Sequence, residues 1–133
     1  MRIFLDANIL FSAGLEGSQA SRLVERLIGR HEVITSAYAH EEVLRNIRIK
    51  QTHREAAYLG LARRIRILRS VHEHPDLQVE PKDQPILAGA MASGCDYLVT
   101  GDKRHFGHLY GKTLEGVTVV SITMMARVLE EDL

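Results

Sequence analysis

Short apolar strands alternating with helix-spaced segments predict an α/β chain with a mainly parallel central sheet and helices on both faces. Two observations carry this. The strand-like runs RIFL, HEVIT, DYLVT and VTVVSI are each separated by a stretch with helical periodicity. In addition, acids stand at or just past two of the strand ends, where ligands collect in such sheets.

The elements follow in order. Residues 2–5 read as a buried strand ending at Asp6. Ser18 is placed to cap a helix over about 19–29, with Leu23, Leu27 and Ile28 near one face and Gly29 as its stop. Residues 31–35 form the second strand. Ser36 then stands at an N-cap, and 37–50 reads as a helix with Val43, Leu44 and Ile47 at helix spacing. A further helix is predicted over 53–73 from the series Leu61, Ile65, Leu68, ended by Pro75. HPDLQVEPKDQP is a loop holding all three prolines. A helix over 84–93 ends at Gly94, a C′ position; strands at 96–100 and 117–122 and a last helix over 123–131 complete the chain.

The 133 residues read as a single domain, 1–133, with an ordinary 45% hydrophobic and 26% charged composition. Lys plus Arg and Asp plus Glu both number 17, so net charge selects no partner. The lone Cys95 excludes an intrachain disulfide and fits a reducing compartment. Asp6 and Asn8 break the first apolar run, and no stretch approaches the roughly 20 apolar residues of a membrane helix. A cytoplasmic protein without membrane contact is expected.

Four acids are candidates for one rim: Asp6 after the first strand, Glu42 on the helix after the second, Asp83 at a helix start, and Asp102 past the third strand. Clustered carboxylates repel unless a cation lies among them. Oxygen ligands of this kind suit Mg²⁺ or Mn²⁺, ions that assist phosphodiester hydrolysis without a protein nucleophile. Taken singly, each acid also has an ordinary role: strand-end hydrogen bonding for Asp6, a solvated face for Glu42, a helix cap for Asp83 and a turn for Asp102.

Residues 45–69 hold eight Lys or Arg against one acid, Glu55, an excess suited to a phosphate backbone or to an acidic partner. Tyr38 and Tyr58 are placed to stack on bases or to pack in the core. His72-Glu73-His74 is a weak zinc signal with no Cys or further His nearby. No glycine-rich phosphate loop occurs.

Together FLDANIL, TSAYAHEEVLRNI and KDQPILAGAMASGCDYLVTGDKRHF resemble PIN-domain proteins, from Met1 to about Ile122. These are metal-dependent nucleases that include the toxins of many VapBC-type toxin–antitoxin pairs. The resemblance implies an α/β/α sandwich, one or two Mg²⁺ or Mn²⁺ ions and endonucleolytic RNA cleavage. It carries the family's four acids onto Asp6, Glu42, Asp83 and Asp102 as catalytic metal ligands. Glu42 is preferred to Glu41 because it lies six residues past Ser36. Asn8 and Thr100 take orienting positions; in such a nuclease a second ion or Lys103 would neutralise developing charge, and Arg45, Arg48 and Lys50 are candidates for RNA contact. A small inhibitory antitoxin is implied as partner, and a homodimer is left open. One departure is plain: His105-Phe106 follows Asp102-Lys103-Arg104, so the further acid that some members place there is absent. Two alternatives stand beside this reading. One is a non-catalytic RNA- or protein-binding scaffold; the other is an aspartyl-phosphate phosphatase, which would want an acid where Asn8 stands.

Overall fold

In the computed structural model, residues 1–69 and 79–131 are described. The chain forms β1 (Arg2–Leu5), α1 (Ala7–Ala13), α2 (Gln19–Arg30), β2 (Glu32–Ser36), α3 (Ala37–Lys50), α4 (Glu55–Ala62), β3 (Arg66–Leu68), α5 (Gln84–Ala92), β4 (Tyr97–Val99), α6 (Lys103–Phe106), β5 (Thr113–Leu114), β6 (Val117–Val120) and α7 (Ile122–Glu131). The sheet order is β3-β2-β1-β4-β6-β5, parallel except for β5 against β6. This is the expected three-layer α/β/α sandwich. Among the described residues no helix is long and apolar enough to cross a membrane.

β1 is flanked on one side by β2 and on the other by β4. The chain runs outward from β1 through β2 to β3 and then crosses back to β4 on the other side of β1, so the strand order reverses between β1 and β4 and their carboxyl ends form the switch point of the sheet. Ile3, Phe4 and Leu5 are fully buried, as a central parallel strand covered on both faces requires. The β1–β4 ladder continues past the strand, with Asp6 N–H donating to Val99 O at 3.1 Å. Asp6 is thereby pinned beside the end of β4.

Gly89 on α5 faces this strand. A Cβ there would stand 3.3 Å from Phe4 Cζ, and Phe4 has no room to retreat. Gly89→Val is expected to cost about 1–3 kcal/mol through overpacking, read as a lower urea midpoint.

The structure departs from the sequence expectation at Gly29, which lies inside α2 rather than ending it, at α6, where no helix was expected, and more consequentially in three further places. The helix predicted over 53–73 is instead a 3₁₀ turn (Thr52–Arg54), then α4, then strand β3. Leu61, Ile65 and Leu68 do fit helical spacing, but Arg64-Ile65-Arg66-Ile67 also alternates, and β2 offers an open edge for β3 to pair with. The end of that predicted helix and His72-Glu73-His74 lie outside the described residues. Second, α1 starts directly after Asp6, where no helix was expected. Third, β5 and β6 form a hairpin through Glu115 and Gly116, at φ 48° and 86°, the pattern of a type I′ turn that the Glu-Gly pair only weakly signals. The caps hold: Ser18 and Ser36 side chains accept from Ser21 and Ala39 N–H, and Gly94, with φ 66°, follows α5.

Candidate active site

Asp6 is 5% exposed and uses both carboxylate oxygens. Oδ1 accepts from Ala7 N–H at 2.7 Å, which starts α1. Oδ2 accepts from the Thr100 hydroxyl at 2.8 Å and from the Asn8 amide at 3.1 Å. Thr100 is fully buried at the end of β4 and also accepts from Asp102 N–H at 3.2 Å. The other end of the Asn8 amide accepts from Gly101 N–H at 2.7 Å. A Cβ on Gly101 would come within 3.3 Å of that same oxygen, so the close approach suits glycine. Two strand ends are thus tied together by one network running from Asp6 through Asn8 and Thr100 to Asp102.

A cleft of about 360 Å³ opens over this network. Asp6, Glu42, Asp83 and Asp102 all line it, with Asn8, Lys50 and Lys82. Glu41 lies instead on a shallow neighbouring groove with Arg45 and Arg48. Thr100 sits beneath the cleft rather than in its wall. Lys103 opens α6, is exposed, and does not line the cleft.

Burial pushes the Asp6 carboxyl up to about 6, against the pull of Thr100 and Ala7, and the charges of Glu42 and Asp83 add to the rise. Asp83 is also raised, chiefly by burial, with His105 and Lys82 opposing and Asp102 and Glu80 reinforcing. Like charges and desolvation therefore act together on this rim, the condition that a bound cation relieves.

Asp83 is the most telling of the four. It occupies the N-cap position of α5, yet its side chain makes no capping bond. The residue is 9% exposed, and its buried Oδ2 accepts no hydrogen bond. An ordinary helix cap would have spent that oxygen on the helix. A buried carboxylate oxygen that accepts no hydrogen bond, lies beside Asp102 and has the His105 ring nitrogen 3.4 Å away fits a divalent ion.

The basic run of 45–69 does not form one stripe. Arg54 is buried, donates to Phe11 O and Gln51 Oε1, and lies 4.4 Å over the Phe11 ring. Arg48 pairs with Glu55, Arg64 with Glu25 and Arg66 with Glu32. Of the three cations picked for RNA contact, only Lys50 reaches the cleft. Sequence reasoning overlooked Lys82, which lies next to Asp83 in a loop and carries no periodic signal. Tyr58 is a core residue whose hydroxyl bonds His40, whereas Tyr38 lines the cleft and donates to Lys82 O at 2.7 Å.

A PIN-domain family model matches residues 2–104. The chain belongs to the PIN-domain family. Two solved structures share the PIN fold with it. VapBC2 from Rickettsia felis, bound to a DNA fragment from their promoter, aligns at TM-score 0.69 and 15% identity over 91% of this chain and 98% of that one. VapC20 from Mycobacterium tuberculosis, a sarcin-ricin loop cleaving toxin, aligns at TM-score 0.57 and 17% identity over 85% and 97%. No curated protein matches the sequence significantly. Membership in the PIN-domain family sets aside the phosphatase alternative. Asn8 agrees with that, since both ends of its amide are engaged within the network and it offers no acid.

Proposed function

We propose that this PIN domain is a divalent-metal-dependent endoribonuclease and the toxin of a toxin–antitoxin pair. The observation that carries the reading is the convergence of Asp6, Glu42, Asp83 and Asp102 on one cleft, with a buried oxygen of Asp83 left unsatisfied. These four acids would hold Mg²⁺ or Mn²⁺, which when bound polarises a phosphoryl oxygen and activates water at neutral pH. The likeness to a sarcin-ricin loop cleaving toxin and to a VapBC complex supports RNA as substrate and a small antitoxin as partner.

The chain's own residues do the rest. Thr100 and Asn8 fix the Asp6 carboxylate so that one geometry is presented before substrate arrives. Lys50 and Lys82 line the cleft and would attract the phosphate backbone without reading bases. Tyr38 anchors the Lys82 segment through its hydroxyl and leaves its ring at the cleft for stacking.

The test is incubation of a mixed RNA pool with the protein in Mn²⁺ or Mg²⁺, with and without EDTA. Endonucleolytic fragments that EDTA abolishes are expected. A folded protein that neither cleaves RNA nor gains melting temperature from divalent ions would favour the scaffold reading instead.

A further inference from the structure

His105 lies one turn past Asp102, at the opposite end of the short helix α6 from its cap. Its Nδ1 is 2.6 Å from Asp102 Oδ2 and 3.4 Å from Asp83 Oδ2, the same buried oxygen that accepts no hydrogen bond. One atom from each of Asp83, Asp102 and His105 lies within 4.8 Å of the others, a spacing that a single ion can bridge. The imidazole reaches the two carboxylates from behind, since its ring lines a neighbouring groove with Val79, Glu80, Pro81, Arg104 and His108. It is half-buried, and its main chain is locked by donation from its own N–H to Asp102 Oδ1 at 3.2 Å.

We propose that His105 is a nitrogen ligand of this site, completing with Asp83 and Asp102 a mixed N/O set that selects Mn²⁺ over Mg²⁺. The inference rests on the metal-dependent reading above and deepens it. Two features point to a ligand: the nitrogen is already directed at both acids, and Asp83 Oδ2 is buried with no other use. An imidazole donor suits first-row transition ions, whereas Mg²⁺ prefers oxygen and keeps much of its water. In the absence of an ion, Nδ1 faces Asp102 and occupies the place between the acids; as a ligand the neutral imidazole would present Nδ1 without its proton and carry the single N–H on Nε2 instead, with no net proton lost.

The experiment measures Mn²⁺ and Mg²⁺ affinities by calorimetry for wild type, His105→Gln and His105→Asp. Pulsed electron paramagnetic resonance of the Mn²⁺ complexes, with and without ¹⁵N-histidine labelling, adds a readout independent of activity. Wild type is expected to show nitrogen coupling that shifts on labelling. Its Mn²⁺-to-Mg²⁺ preference should exceed that of His105→Asp by about tenfold or more. His105→Gln should lose the coupling, and His105→Asp should still bind both ions, which guards against a folding defect. Tight Mn²⁺ binding without nitrogen coupling, or with coupling that survives in His105→Gln, would overturn the proposal and leave the nuclease reading standing. No binding of either ion by wild type would overturn both.

Discussion

Asp6→Asn is expected to lower divalent-dependent RNA cleavage by about 10³-fold while the protein keeps its fold. The amide retains an oxygen to accept from Ala7 N–H, so α1 still starts correctly. What disappears is the negative charge at the switch point of the sheet. In place of Oδ2 there would be an NH₂ group facing another donor, the Asn8 amide. The substitution also has a signature in pH. Burial holds the folded Asp6 carboxyl near 6, above its ordinary 3.8. A raised pKa means that the contribution of Asp6 to stability is complete below about pH 4 and is lost as pH rises through 6. By pH 7 that loss reaches about 3 kcal/mol at most. In EDTA, wild type should therefore lose stability relative to Asp6→Asn between about pH 4 and 6.5, and Mn²⁺ should restore it for wild type only. Parallel denaturation curves for the two proteins across that range would contradict the assignment.

Thr100→Val is expected to destabilise the protein by about 2–3 kcal/mol and to weaken metal binding. Valine matches threonine in shape, so no cavity opens, but the hydroxyl is lost. That hydroxyl donates to Asp6 Oδ2 and accepts from Asp102 N–H in a fully buried position. Both partners are then left short, and the carboxyl of Asp6 loses the bond that most opposes its burial, so protons compete harder with an ion. Thr100→Ser keeps the hydroxyl and removes one methyl, for about 1 kcal/mol. Urea denaturation in EDTA, followed by Mn²⁺ titration, checks both effects. Equal stability of the Val and Ser variants would show that the network carries little of the load.

Much of the scaffold was readable before folding was considered. Continuous apolar runs set β1, β2, β4 and β6, and Ser18, Ser36 and Gly94 punctuated the helices where the structure ends and starts them. These are local signals, carried by residues within a turn or two of one another. β3 was misread because Leu61, Ile65 and Leu68 fit helical spacing while the overlapping run Arg64 to Ile67 alternates, and only the free edge of β2 decides between the two readings. α1 was hidden because Ile9, Leu10 and Phe11 continue the apolar run of β1, so that no change of period marks the boundary.

By itself, then, the sequence determined the α/β alternation, the helix caps, and the presence of four acids and Asn8 in an order that resembles the PIN family. The tertiary structure alone decided how those residues are used. Strand order placed Asp6 and Thr100, 94 positions apart in the chain, within 2.8 Å of each other. It also left Asp83 Oδ2 buried and unbonded, brought Lys82 and Lys50 to one cleft, turned Arg54 inward, and set His105 against two carboxylates. The physical reason is that burial and through-space charge depend on which segments the sheet brings together, and no periodicity along the chain encodes that distance.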